Sequence, residues 1–136
     1  MPHVQIESVR GPARRAILKG LMAFNNAAVG KSKYKSVTLT LRHGKEIVGG
    51  LAGSVWMGWL YVELLWIADK YRGKGYGRSL MAKAEAEARK HGAENVYLGT
   101  FGFQAPGFYK KLGYKEFGKL RGYAPGQTCF WMQKVL

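Results

Sequence analysis

The sequence predicts an α/β fold: a mixed, mostly antiparallel sheet of about seven strands flanked by helices, with one β-α-β unit. Three observations predict it. Between Val37 and Ile67, segments rich in β-branched and aromatic residues follow one another across tight turns, as in an antiparallel meander. Between Leu64 and Thr100 come an apolar run, a glycine-rich turn, a helical pattern and a second apolar run, which is the order of a parallel crossover. The 136 residues, 47% hydrophobic and 13% aromatic, suffice for one globular domain with a core of two or three layers. No repeat, low-complexity tail or boundary divides residues 1–136, so a single domain is expected.

Taken in order, Val4–Val9 alternates apolar and polar residues, the period of a strand. Gly11 and Pro12 end it. Ala16, Leu18, Leu21, Met22 and Phe24 fall at helical spacing, predicting a helix over about 12–25 with Pro12 in its first turn. Residues 37–41 form a strand, turned by His43, Gly44 and Lys45 into a second over 46–56. Met57 and Gly58 turn the chain again into a third strand, which ends in the apolar run Leu64–Ala68. A helix is expected from about Leu80, with Tyr76, Leu80, Ala84 and Ala88 on one face and Met81 beside it. Glu85–Arg89 and Lys83–Glu87 read as exposed pairs, and Gly92 as the cap. Residues 95–100 form the parallel strand of the crossover. Pro106 opens a short helix to Lys111, Gly113 caps it, and strands over 114–120 and 128–135 flank a long turn at 121–126.

Charge is uneven. There are 22 Lys and Arg against 8 Asp and Glu, a formal net charge of +14, and no acidic residue between Ser8 and Lys45. Arg10, Arg14, Arg15, Lys19, Lys31, Lys33, Lys35, Arg42 and Lys45 all lie in that stretch. Such a field draws polyanions: nucleotides, phosphorylated cofactors or nucleic acid. No apolar run reaches the roughly 18 residues of a membrane span, and no secretory signal opens the chain. The single cysteine, Cys129, cannot form an internal disulfide, so a cytoplasmic location is expected. His3, His43 and His91 have no ligand spacing, and no metal is expected.

The chemistry concentrates at Arg72-Gly73-Lys74-Gly75-Tyr76-Gly77-Arg78-Ser79. A strand feeding a glycine-rich turn that opens a helix grips phosphate: the backbone can approach closely, and the free N–H groups of the first helical turn face the anion. The spacing is not G-x-x-x-x-G-K-[ST], which excludes a P-loop. It is G-x-G-x-G rather than G-x-G-x-x-G, and no acidic residue stands about 20 positions on to hold a ribose, which disfavours a dinucleotide fold.

The turn resembles the Arg/Gln-x-x-Gly-x-Gly/Ala motif of the GNAT superfamily of acetyl-CoA-dependent N-acetyltransferases. The stretch from Ala105 through Phe108-Tyr109 to Gly113-Tyr114 resembles that family's second signature, one helix and one strand later. The resemblance covers nearly the whole chain. It implies that the amides of residues 72–79 surround the pyrophosphate of coenzyme A, and that Leu65, Trp66 and Ile67 pair with its pantetheine arm. It also implies that this strand splays from the one over 96–100. Arg72, Lys74, Arg78 and Lys111 would hold phosphates, and Phe108 belongs to the same cofactor-binding motif.

The resemblance further implies that Tyr109 is the general acid that protonates the leaving thiolate. Glu63, two residues before Leu65 and therefore expected on its strand face, would be the base or hold a water chain. Backbone N–H near Trp66 or Ile67 would meet the oxyanion. Trp56, Trp59, Tyr61 and Trp66, with Phe101, Phe103 and Gln104, are candidates to face the acceptor or to fill core. The implied activity is transfer of the acetyl group of acetyl-CoA to a primary amine of a small molecule, protein or peptide, by direct attack in a ternary complex. The basic stretch favours a neutral or anionic acceptor over a polycation. An amine on a nucleic acid, such as aminoacyl-tRNA, and a non-catalytic basic nucleic-acid-binding module are the alternatives. The resemblance also admits a homodimer.

Overall fold

The structure, a computed structural model, describes residues 1–9 and 11–136. Arg10, one of the basic residues of the acid-free stretch, lies outside the described residues. The chain forms two compact units, Met1–Lys33 and Tyr34–Leu136.

The first unit holds helix α1 (Pro12–Val29). It runs four residues past the Asn25 expected as its end: the good helix formers Ala27 and Ala28 carry it on, and Gly30, at φ 82°, stops it with its N–H on the Asn26 carbonyl at 2.9 Å. Val4–Val9 forms no strand, and Val4 and Ile6 are exposed. A period-two pattern states which face a strand would bury. It does not supply the partner whose N–H and C=O groups make a ladder.

The second unit contains β1 (Lys35–His43), β2 (Glu46–Trp56), β3 (Trp59–Ile67), α2 (Tyr76–Lys90), β4 (Asn95–Phe101), α3 (Pro106–Lys111), β5 (Lys115–Tyr123) and β6 (Gln127–Val135). The six strands form one sheet in the order β1-β2-β3-β4-β6-β5, so the count is six where about seven were expected. Every neighbouring pair is antiparallel except β3 and β4, which run parallel across α2 as the crossover required. Helix α2 begins four residues before Leu80, because Gly75 adopts the left-handed conformation (φ 86°) that turns the chain into the helix. Strand β5 continues to Tyr123, shortening the expected turn at 121–126.

One face of the sheet and α2 form the core. Leu60, Val62, Val96, Leu98 and Met132 meet Leu80, Met81, Ala84 and Ala88 of the helix. Each fully buried side chain of this size stabilises the fold by about 2 kcal/mol. Glu85 is not an exposed partner of Arg89. It is 6% exposed, accepts a hydrogen bond from Tyr114 Oη at 2.9 Å and pairs with Lys134 Nζ at 2.8 Å. The buried stripe of α2 holds Leu80, Met81, Ala84 and Ala88 as expected; Glu85 widens it, and Tyr76, in the first turn, is exposed. Glu87 pairs with Lys90 and His91 rather than with Lys83.

Two features of β3 prepare the site. Its register on β2 slips between Ala52↔Leu64 and Gly53↔Val62, so Glu63 is the extra residue of a β-bulge. A Cβ on Gly53 would lie 2.3 Å from the Tyr61 carbonyl oxygen, and glycine is what permits this approach. Pairing of β3 with β4 then runs only from Trp59↔Asn95 to Val62↔Leu98, although β3 continues to Ile67 and β4 to Phe101. The strands part there. Among the described residues no helix is long and apolar enough to cross a membrane.

Candidate active site

Where β3 leaves β4 it stays paired with β2 through Leu65, Trp66 and Ile67. The backbone groups on the other side of these residues meet no strand, which is the edge an extended ligand can join. Trp66 is 52% exposed on this free segment. The bulge also alters the expected faces. Glu63 and Leu64 are both exposed while Leu65 is half-buried, so Glu63 does not simply share the Leu65 face. Simple alternation fails wherever one strand carries an extra residue.

Beyond β3 a single turn of 3-10 helix, Asp69–Tyr71, leads into the glycine turn. Arg72 is turned back towards the strand: its Nε donates to the Ile67 carbonyl at 2.8 Å, and a terminal guanidinium nitrogen lies 3.1 Å from Asp69 Oδ1. The guanidinium therefore buttresses the end of β3 instead of being aimed freely into the turn. Its own backbone N–H is engaged by the Asp69 carbonyl at 3.2 Å, and that of Ser79 by the Gly75 carbonyl at 3.1 Å. The outer amides of the 72–79 range are thus already bonded.

The inner ones differ. The N–H groups of Tyr76, Gly77 and Arg78 precede the first helical bond of α2, and the cap residue Gly75 supplies no side-chain acceptor. Gly73 (φ 73°) and Gly75 face open space where a Cβ would stand. An uncapped helix start beside side-chain-free backbone fits a pyrophosphate. Lys74 and Arg78 are exposed on the same turn, and Lys111 is exposed at the end of α3.

The second motif is packed against the first. A Cβ on Gly77 would meet Phe108 Cζ at 3.2 Å, so the Phe108 ring lies over the first turn of α2. The loop before α3 is folded onto the end of β4 by Gln104. Its Oε1 accepts the Phe101 N–H at 2.8 Å and lies 3.4 Å from Thr100 Oγ1, while the Ala105 N–H reaches Thr100 Oγ1 at 3.4 Å. Gln104 thereby has a local structural partner.

Tyr109 is 7% exposed, edge-on to Phe108 and to Tyr114 at ring separations of 5.1 and 5.8 Å. Burial alone pushes its phenol up to about 12. It keeps its proton throughout neutral pH, as a donor must. Tyr114 is pushed up too, first by burial and then by the Glu85 carboxylate beside it.

The face of the sheet away from α2 is aromatic. Tyr61 and Tyr97, partners on the last rung but one before the strands part, stack at 4.8 Å and 20°. Trp59 meets Tyr97 edge-on at 5.7 Å, and Trp131 lies 6.5 Å from it on the other side. Burial, then Tyr97 and then the Glu63 carboxylate push the Tyr61 phenol up, which places Glu63 within electrostatic reach of this face.

The Acetyltransferase (GNAT) family profile matches residues 14–114. The chain belongs to the GNAT acetyltransferase family. It is 37% identical over 123 residues to Acetyltransferase Atu2258 of Agrobacterium fabrum, covering 90% of each chain. To the Blasticidin-S acetyltransferase of Streptomyces morookaense it is 36% identical over 140 residues, covering 100% of this chain and 98% of the relative. A crystal structure from Agrobacterium tumefaciens superposes with a TM-score of 0.92 at 34% identity, covering 100% of both chains. As a GNAT member the chain is an acyltransferase, and its sheet is the mixed GNAT sheet. The Thr100–Gln104 clasp and the buried Glu85 escaped sequence reasoning; no local pattern marks either.

Proposed function

We propose that residues 1–136 act as one acetyltransferase domain that moves the acetyl group of acetyl-CoA to the primary amine of a small molecule by direct attack in a ternary complex. The observation that carries this reading is the parting of β3 from β4 after Val62↔Leu98, with the glycine turn following one strand and Tyr109 following the other. Acetyl-CoA, when bound, supplies the acetyl group as a thioester. The N–H groups of Tyr76, Gly77 and Arg78 hold its pyrophosphate, with Lys74, Arg78 and Lys111 as cationic partners. The free edge of Leu65–Ile67 pairs with the pantetheine arm, and an N–H near Trp66 or Ile67 meets the oxygen that gains charge. Arg72 acts by fixing the end of that edge.

Tyr109 serves as the general acid facing the leaving sulfur. A phenol near 12 facing a thiol of about 8.5 acts chiefly by hydrogen bonding to the developing thiolate. Glu63 takes the proton of the attacking ammonium, directly or through water, since a primary amine of about 10.4 is charged at neutral pH. The acceptor is neutral or anionic overall, because the chain's +14 charge disfavours a polycation. The acid-free stretch motivates one other acceptor, an amine carried on nucleic acid.

A thermal shift with acetyl-CoA, followed by thiol release across an amine library, tests the reading. Stabilisation by acetyl-CoA and amine-dependent thiol release are expected. Steeply salt-dependent nucleic-acid binding with no acetyl-CoA shift would replace it with a binding module. A Glu63→Gln variant with an unchanged pH–rate profile would remove Glu63 from the role of base.

A further inference from the structure

Resting on the reading of Tyr109 as the general acid, we infer that Glu85 is its positioning residue. Acting through Tyr114, Glu85 fixes the acid-bearing turn to the helix that opens at the glycine loop. A proton donor must keep its hydroxyl for the substrate, so its ring and backbone have to carry the anchoring. Helix α3 supplies little of that by itself. It has six residues and no side-chain cap at its start, too short to be stable alone. Tyr114 supplies the rest. Its N–H and that of Leu112 both donate to the Tyr109 carbonyl at 3.0 Å, and its ring stands edge-on to the Tyr109 ring at 5.8 Å.

Tyr114 is held in its turn from behind. Buried itself, it donates its hydroxyl to Glu85 Oε2 at 2.9 Å, while Glu85 Oε1 takes Lys134 Nζ at 2.8 Å. The ammonium also lies 5.4 Å from the centre of the Tyr114 ring. The lysine stem passes 3.7 Å from where a Cβ on Gly113 would stand. Both carboxylate oxygens are thus engaged, one by the residue that follows the α3 turn and one by β6. Packing alone does not call for this charge, since apolar side chains of the same volume fill a core as well as an ion pair does. What a fully hydrogen-bonded network adds is a rigid, unique geometry. Helix α2 meets the surroundings of the acid twice, at Gly77 beneath Phe108 and at Glu85, roughly two turns further along its axis. In the proposed reading its first turn holds the pyrophosphate, so one helix sets the place of both cofactor and acid. A misplacement of about 1 Å at a reacting centre costs up to about a hundredfold in rate.

The test is a double-mutant cycle, run with acetyl-CoA and the library amine of highest thiol release. Tyr114→Phe keeps the ring, removes the bond to Glu85 and leaves Glu85 paired with Lys134. It is made in wild-type protein and in Tyr109→Phe, and Glu85→Gln is made in the same two backgrounds. In wild-type protein each is expected to lower kcat about tenfold, with the amine KM and the acetyl-CoA thermal shift retained. In Tyr109→Phe each is expected to change kcat by less than about twofold, because the group being positioned is already gone. Equal fractional losses in the two backgrounds, or an unchanged kcat in the wild-type background, would reduce Glu85 to a structural ion pair and overturn the inference. Either variant completes the cycle if the other fails to fold. Flips of the Tyr109 ring, followed by NMR of ring-labelled tyrosine, are read separately and are expected to quicken by about tenfold in Tyr114→Phe. Quicker flips beside full turnover by Tyr109→Phe would leave the clasp on the ring standing and sink the general-acid reading. Lost turnover in Tyr109→Phe, with flips and kcat unmoved in Tyr114→Phe, would do the reverse.

Discussion

The two ends of the β3–β4 pair make a useful contrast. From Trp59 to Val62 the strands are hydrogen-bonded to each other, and what they present on the face away from α2 is side chains. From Glu63 to Ile67 the partner is gone, and what β3 presents is backbone. One bulged residue separates the two regimes. Four residues of sheet hold an aromatic surface in fixed register, and the next few offer N–H and C=O groups to a ligand. The glycine turn extends the second regime, since its binding capacity comes from what Gly73, Gly75 and Gly77 lack. Side-chain surfaces tolerate backbone-neutral changes and lose specificity with truncation. Backbone sites ignore truncation and fail when a Cβ is added.

Adding atoms at the boundary should have the largest effect. Gly53→Val places a side chain against the Tyr61 carbonyl, only 2.3 Å from the ideal Cβ. It is expected to cost about 3 kcal/mol of stability, read as a lowered Tm, and to weaken acetyl-CoA binding as the bulge shifts. A variant of unchanged Tm would mean that the bulge is not built on that glycine. Next comes Tyr109→Phe, which removes one oxygen from a buried ring. Turnover is expected to fall about a hundredfold with the acetyl-CoA thermal shift retained, and full turnover would remove Tyr109 from the chemistry.

Smaller again is Gly75→Ala. The added methyl meets no atom within 4 Å, so only the left-handed backbone resists it, at about 1 kcal/mol. Denaturant unfolding measures that cost, and a stabilised variant would show that α2 starts in another conformation. The mildest effect is on pH. Tyr109, ordinarily near 10, is raised to about 12 by burial. Below pH 10 it is protonated in both folded and unfolded chains. Between about 10 and 12 only the unfolded chain ionises, so stability should decline over that window and not before it. Urea midpoints at pH 8, 10 and 11 check this: Tyr109→Phe should flatten part of the decline, while Tyr114, raised for similar reasons, sustains the remainder.

The legible part of this protein was the part written locally. The β-branched run over 37–41, the hairpin turn at 43–45, the Met57-Gly58 turn and the glycine spacing at 73, 75 and 77 each fix a conformation within a few residues, and all appear in the structure. The illegible part depends on partners far along the chain. Val4–Val9 has a strand's period without a strand's ladder. Glu85 looks like a helix surface residue until Tyr114 and Lys134, 29 and 49 positions away, are placed against it. The bulge at Glu63 is a counting difference between two strands, invisible in either alone. For the same reason the cofactor turn could be read from spacing, whereas the aromatic cluster needed the register that sets Tyr61 opposite Tyr97 and Gly99 opposite Trp131.

The sheet order has a consequence for how the molecule is made. Strand β5 pairs only with β6, and β6 sits between β5 and β4. A ribosome therefore delivers the outer strand before the inner one that must hold it. Until β6 emerges, β5 is an orphan segment, and β4 has one bare edge alongside its opening to β3. Both pairings wait on the same segment, Gln127–Val135, which lies between the two strands it joins.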